Sequence, residues 1–366
     1  GKLLVSGNFK KPILENGNIN VSSIDAEQIV ISQLKKENIS FFATSNLAKL
    51  GVQQNKLQYY FSQQKNLWYL IHEIKIMPNP STNLTFLIDA STGEVIDQFS
   101  NICKIHTNCN HEHNTTVNPE GHESATALDL FGISRTINVW KEGATYFMLD
   151  GNRSMFSLTN SKLPDEPAGG ILTLDAKNTA FNENDFRVSQ VTSSNNQWSN
   201  ATAVSAHYNG GKAYEYFKNV HSRNSIDGKG GSIISIINVR DENGAKMDNA
   251  FWNGEAMFYG NGDQAFTSLA KALDVAGHEM SHGVIQNTAN LTYQGESGAI
   301  NESFADIFGA MIDRDDWKMG EDVVVRTYFP SGALRDLSNP NNGGRTTDQY
   351  WQPKHVNEQY KGSQDN

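Results

Sequence analysis

His278-Glu279-Met280-Ser281-His282, followed about one helical hairpin later by Asn301-Glu302, is the stretch around which this chain is read. Histidines four apart share one face of a helix, so both imidazoles can reach a single metal at roughly 2.0–2.1 Å, which suits zinc. Glu279 is turned around the helix from that face. It cannot easily chelate, but it can reach a water in an open coordination position and act as its base. The segment Gly298-Ala299-Ile300-Asn301-Glu302-Ser303-Phe304-Ala305-Asp306 offers a third ligand on a second helix, and Glu302 is the residue expected to supply it. Asp306, one turn further, can accept the outer N–H of one ligating histidine, and Asn301 that of the other. The competing reading is a chance match on an amphipathic helix. Leu273, Val275, Val284 and Ile285 would bury such a helix, and the Glu-then-Asp recurrence at i, i+4 weighs against chance.

The rest of the chain is read outward from this pattern. At 366 residues it is long enough for two or three domains with real cores. A net charge of −10 leaves no electrostatic footprint for nucleic acid or an anionic membrane. No apolar run approaches the roughly 18–20 residues that span a bilayer, and Gly1-Lys2-Leu3-Leu4-Val5 lacks the shape of a signal peptide, so any export signal is expected to have been removed. The two cysteines, Cys103 and Cys109, lie close together in a polar stretch. A short-loop disulfide, solvated thiols, and a metal site with His106, His111 and His113 all remain open.

The expected fold class is α+β. Residues 1–100 read as a separate α+β unit, with Asp25 and Gln28 capping a helix that carries Ile29, Val30, Ile31 and Leu34. Strands are expected at Leu57–Phe61, Leu67–Ile76 and Leu84–Ile88, with a turn at Ser91-Thr92-Gly93-Glu94. Residues 101–123 read as an exposed linker, and cleavage is expected within 110–124. Residues 124 to about 268 form a β-rich half with strands at Ile137–Trp140, Tyr146–Leu149, Met155–Leu158 and Ile233–Val239 and a helix around Ala203–Val220. A helical half begins at about Leu269, leaving the site in the cleft between the two. Glycosylation sequons at Asn38, Asn83, Asn114, Asn200, Asn290 and Asn301 carry no weight, since Asn301 is needed beside the metal.

The runs Asn249-Ala250-Phe251-Trp252-Asn253-Gly254, His278 to His282, and Tyr293-Gln294-Gly295-Glu296-Ser297-Gly298-Ala299-Ile300-Asn301-Glu302 resemble the thermolysin family of secreted zinc endopeptidases. The resemblance covers roughly Ala125 to the last residue, and this order of motifs is highly specific. It implies His278, His282 and Glu302 as ligands of one zinc, Glu279 as the base, and Asp306 as the carboxylate orienting His278. It further implies that Tyr293 hydrogen-bonds the developing oxyanion, that Arg335 holds a substrate carbonyl, and that Asn249 and the Ala250 backbone bind peptide as an added strand. Phe266, Leu269, Val275, Met319, Val323 and Leu334 match an apolar pocket for the residue after the scissile bond, with a preference for Leu or Phe; core packing is the alternative. Asp274, Asp313, Asp316 and Glu321 match a calcium site, against the alternative of a solvated acidic face. One ion rather than two is implied, because Lys318 stands where the fuller site has a carboxylate and the loop before Trp317 is shorter.

Phe86 to Asp97 is similar to the small domain that ends thermolysin-type propeptides, which implies an intramolecular chaperone and inhibitor; a generic accessory module is the alternative. Gly1 to Pro12 looks like the tail of a larger pro-domain, and Gly362 to Asn366 resembles the stretch before a histidine that serves the oxyanion. The expected partners are therefore protein or peptide substrates, the chain's own propeptide, and a C-terminal remainder of the same protein, packed as a separate chain over Ile307, Phe308 and Met311. The expectation is a secreted, propeptide-inhibited zinc endopeptidase. A non-catalytic inhibitory complex is the rival, and an aminopeptidase would need an acidic anchor that no motif supplies.

Overall fold

The computed structural model describes residues 18–37, 39, 41, 51–62, 65, 67–79, 82–100, 121–180, 186, 188–241, 243–342 and 351–358. Cys103, Cys109, His106, His111, His113, most of the expected linker, Asn38, Asn114 and both chain ends lie outside them.

The N-terminal unit is a helix on a four-stranded antiparallel sheet. Helix α1 (Ser23–Lys36) presents Ala26, Val30 and Leu34 on one stripe, and these pack on Ile74, Ile76, Phe86 and Ile88. Its cap is Ser22, whose hydroxyl accepts from the Asp25 amide at 3.1 Å and donates to the Asp25 carboxylate at 2.7 Å. That corrects the expected Asp25 cap: Asp25 is the third helical residue and answers the cap from inside the first turn. Strands β1 (Gly51–Ser62), β2 (Leu67–Asn79), β3 (Thr82–Asp89) and β4 (Val95–Ser100) follow in spatial order. The turn at Ser91–Glu94 joins β3 to β4, a fourth strand beyond the three expected. Alternation along β2 and β3 sends Ile74 and Ile76 to the helix and leaves Tyr69, Ile71, Glu73, Lys75, Thr85 and Leu87 on the opposite face.

The second unit begins earlier than expected, because β5 (Gly121–Leu128) starts inside the segment read as linker and pairs with β6 (Ser134–Glu142) over its whole length. With β7 (Thr145–Phe147) and β11 (Thr192–Ser193) they form one antiparallel sheet. A second, mixed sheet runs β10 (Ser189–Gln190), β9 (Ile171–Asp175), β12 (Ile233–Val239), β14 (Met257–Gly260), β13 (Ala250–Trp252), with β8 (Leu149–Asp150) also pairing β9. β9 and β14 run parallel to β12. Met155–Leu158, expected as a strand, is a turn closed by Phe156 N donating to Arg153 O at 2.9 Å, leading into a single 3₁₀ turn at Leu158–Asn160. Helix α2 (Ala201–His221) lies against β9 and β12, and its buried Ala203, Ala206 and Ala213 allow that approach.

Helices α3 (Leu273–Gln286) and α4 (Gly295–Asp313) complete the frame that holds the site. They cross at two glycines. A Cβ on Gly277 would fall 3.2 Å from the Gly309 Cα and 2.9 Å from Ile312, and a Cβ on Gly309 would fall 2.7 Å from the Asp274 carbonyl oxygen. Backbone therefore meets backbone there, which brings the polar faces of both helices within bonding reach. Among the described residues no helix is long and apolar enough to cross a membrane.

Candidate metal and catalytic site

The crossing of α3 on α4 converts two sequence motifs into one triangle of donor atoms. The Nε2 atoms of His278 and His282 lie 3.0 Å apart, and the Glu302 carboxylate oxygens lie 3.3 Å and 3.5 Å from them. A tetrahedral zinc with bonds of roughly 2.0–2.1 Å spaces its ligands by roughly 3.4 Å, so this donor set fits that ion in both chemistry and size. The outer nitrogens are held as well. His278 Nδ1 donates to Asp306 Oδ1 at 2.8 Å, and His282 Nδ1 donates to Asn301 Oδ1 at 2.8 Å, which turns both Nε2 lone pairs inward. The two imidazole planes stand at 88° to each other, as two ligands on neighbouring helical turns must to face one point.

A cation supports this triangle from behind. Arg335, in the short strand β16 (Arg335–Asp336) paired with β15 (Lys318–Met319), donates from Nε and Nη2 to both oxygens of Asp306 at 2.6 Å. Despite its burial, Asp306 is held down at about 2 by Arg335 and His278, and Glu302 is held below the ordinary carboxylate range by His278 and His282. Burial disfavours charge on His278, yet its bonds to Asp306 and Glu302 raise it; burial and the neighbouring His278 lower His282. Glu279 differs from the other carboxylates. Burial pushes it up to about 7, against the lowering influence of His278 and of a hydrogen bond from the Trp252 backbone amide.

A cavity of about 200 Å³ opens beside the donors, lined by Asn249, Ala250, Phe266, Leu269, Val275, Met319, Gly320 and Leu334 together with Glu279 and Arg335. Val323, expected in this lining, is not part of it. It is buried behind the wall, and its carbonyl accepts the Thr267 amide at 2.7 Å. The family resemblance implied a lining role for Val323 and named core packing as the alternative, which is the one the structure shows; Gly320, which does line the cavity, was not among the expected residues. Tyr293 lies beside the donor triangle. Its phenol donates to Glu302, and it faces a second cavity of about 410 Å³ that His282, Asn301 and Trp252 share with Glu73, Lys75, Asn83 and Phe99 of the N-terminal unit.

A second cluster gathers around Asp313, at the end of α4. Oxygens of Asp274, Asp313 and Glu321 converge within 4.8 Å, and those of Asp315, Asp316 and Glu321 form an adjoining group, so Asp316 belongs to the second group and Asp315 was missed. Both Glu321 oxygens are buried without a hydrogen-bond partner, and Lys318 Nζ lies 2.6 Å from Asp316 Oδ2. Burial and mutual repulsion push Asp274 up to about 7, Asp313 to about 6 and Glu321 to about 8.

The expected apolar face on α4 is also revised. Ile307 is exposed, but Phe308 and Met311 are half-buried, and the Phe308 ring packs against Tyr216, Phe217 and His221. Ile300 and Phe304 join Ile307 at the surface instead.

Residues 124–286 match the catalytic domain of thermolysin metallopeptidases, and residues 289–366 match the alpha-helical domain of the same enzymes. The bacillolysin of Brevibacillus brevis is 36% identical over 322 residues, covering 86% of this chain and 51% of that protein. The bacillolysin of Bacillus amyloliquefaciens is 37% identical over 272 residues, covering 74% and 45%. Among solved structures, the precursor of protealysin, a metalloproteinase from Serratia proteamaculans, aligns at 29% identity over 53% of this chain and 61% of that one, with a TM-score of 0.45. The chain spans about half the length of the curated relatives it matches. With both domains of the catalytic unit matched in order, the chain belongs to the thermolysin metallopeptidase family.

Proposed function

We propose that the chain is part of a secreted zinc endopeptidase whose N-terminal unit restrains it, and that it hydrolyses peptide bonds before large apolar residues. The observation that carries this reading is the triangle of His278, His282 and Glu302 donors at 3.0–3.5 Å, with Glu279 in the same cavity. Bound there, zinc supplies the Lewis acidity that polarises a carbonyl and lowers the pKa of water. Glu279 takes the proton from the attacking water and hands it to the leaving nitrogen. Its burial, which disfavours the charged form, helps it hold the proton between those two steps. Asp306 and Asn301 fix the imidazoles, and Arg335, already anchored on Asp306, presents its remaining guanidinium N–H to a substrate carbonyl. The phenol of Tyr293 reaches the oxyanion by leaving Glu302. Asn249 and the Ala250 backbone, at the β13 edge of the mixed sheet, take the peptide as an added strand. Phe266, Leu269, Val275, Met319 and Leu334 enclose its apolar side chain.

The restraint rests on the N-terminal unit, where Lys75 Nζ donates to Asn290 Oδ1 at 3.2 Å and Asn83 lies against Gly254. The same seating favours the rival, a non-catalytic inhibitory complex. One experiment separates them: casein hydrolysis is followed before and after limited proteolysis within 110–124, with and without a chelator, and after zinc is restored. Hydrolysis that appears on cutting, disappears on chelation and returns with zinc supports the enzyme; none under any condition leaves the inhibitory complex. Full casein hydrolysis by material left uncut within 110–124 would remove the restraint.

The cluster of Asp274, Asp313 and Glu321 holds one calcium in this reading, while Lys318 neutralises Asp316 in place of a second.

A further inference from the structure

Gln286 closes α3 four residues after His282, and its carboxamide joins two points of the segment that borders the cleft. Oε1 accepts the indole N–H of Trp252 at 2.8 Å, and Nε2 donates to the Gly254 carbonyl at 3.2 Å. A carboxamide carries both an acceptor and donors, so it serves both ends; a carboxylate would serve only the indole. The segment it grips needs such a tie. β13 is an edge strand held to β14 through only three residue pairs, Ala250–Tyr259, Phe251–Phe258 and Trp252–Met257. Just beyond it, Gly254 has φ +102°, a conformation natural to glycine, which aims its carbonyl at α3.

Trp252 is the centre of this arrangement. Its ring lies so close to α3 that a Cβ on Gly283 would fall 3.0 Å from Cζ2. Movement of Trp252 therefore moves, through β13, the edge carrying Asn249 and Ala250 that lines the cavity.

We infer that Gln286 is a positioning residue: it clasps the Asn249–Gly254 edge to the zinc helix and so holds that edge in register beside the cavity that contains Glu279. The kinetic consequence rests on the hydrolase reading above; the structural consequence does not. The test compares Gln286→Leu, of similar size without hydrogen-bonding groups, and Gln286→Glu, which keeps the indole acceptor, in the zinc-loaded full chain. Hydrogen exchange of the backbone amides at 251–256 is expected to rise about tenfold in Gln286→Leu, the scale of one or two neutral hydrogen bonds. Exchange elsewhere should stay unchanged. After cleavage within 110–124, kcat on a Phe-containing peptide is expected to fall about tenfold with KM within about twofold and zinc content intact, because a peptide held on a displaced edge is misaligned in the transition state. Gln286→Glu should recover at least part of both losses. Unchanged exchange at Trp252 overturns the clasp. A kcat loss that tracks zinc loss or chain-wide exchange overturns the positioning role. A parent chain that cleaves nothing refutes the hydrolase reading instead, while the exchange result still decides the clasp.

Discussion

The α3–α4 pair carries two clusters of buried charge, and they resolve the same problem in opposite ways. Around His278, His282 and Glu302 every group is paired: Asp306 with His278 and Arg335, Asn301 with His282, Tyr293 with Glu302. Around Asp274, Asp313 and Glu321 the carboxylates face each other, and the nearby ammonium of Lys318 is committed to Asp316. Burial raises carboxylate pKa values in both places, so the sign of the neighbours decides the outcome. Asp306 falls to about 2 while Asp274 and Glu321 climb to about 7 and 8. The first cluster is a prearranged ligand set whose geometry stands by itself, whereas the second is a repulsive set that a cation from outside would relieve.

The largest expected effect tests whether the first cluster separates metal binding from chemistry. Glu279 lies in the cavity but is not among the three converging donors. Glu279→Gln is therefore expected to keep zinc content and melting temperature while turnover falls by roughly 10²–10⁴-fold, the range for a positioned general base. Appreciable casein cleavage by that variant would break the division of labour.

A smaller loss is expected from the tier behind the donors. Asp306→Asn keeps an acceptor for His278 but loses the charge that balances Arg335, so zinc affinity or kcat/KM should fall roughly 10- to 100-fold. Competition with a chelator gives the first quantity and peptide hydrolysis the second. If neither changes, Asp306 does not orient the site.

How much of this was legible in sequence follows from the range of each interaction. The i, i+4 histidines and the Glu302–Asp306 repeat are set within single helices, so their spacing placed all four side chains and Asn301. The crossing at Gly277 and Gly309 was not legible, because each glycine has meaning only opposite the other helix. β9 (Ile171-Leu172-Thr173-Leu174-Asp175) is buried along its whole length and has no alternation to reveal a strand. Met155–Leu158 showed the opposite error, an apolar run bent into a turn. Gln286 and Trp252 stand 34 residues apart, and nothing local to either betrays the bond between them.

The smallest expected effect is the one that most directly tests the second cluster. Asp274, Asp313 and Glu321 have folded values of about 7, 6 and 8, against ordinary carboxylate values of roughly 4 in the unfolded chain. The folded chain thus binds more protons between these limits. The contribution of the cluster to stability is fully present below about pH 4 and is lost as pH rises through 6 to 8. In a chelator that spares zinc, the melting temperature should therefore decline from pH 5 to pH 9, and calcium should restore it increasingly over the same range, since a divalent cation binds the ionised form. Glu321→Gln isolates the effect from other titrating groups. At pH 9 it removes a repulsive charge, so the calcium-free variant should melt higher than the parent by ~2–4 °C for each kcal/mol relieved. With calcium present the order should reverse, because the same substitution deletes a ligand. A variant that melts below the parent in both conditions would mean that Glu321 serves packing alone, and the contrast between the two clusters would then rest on Asp274 and Asp313 without any cation.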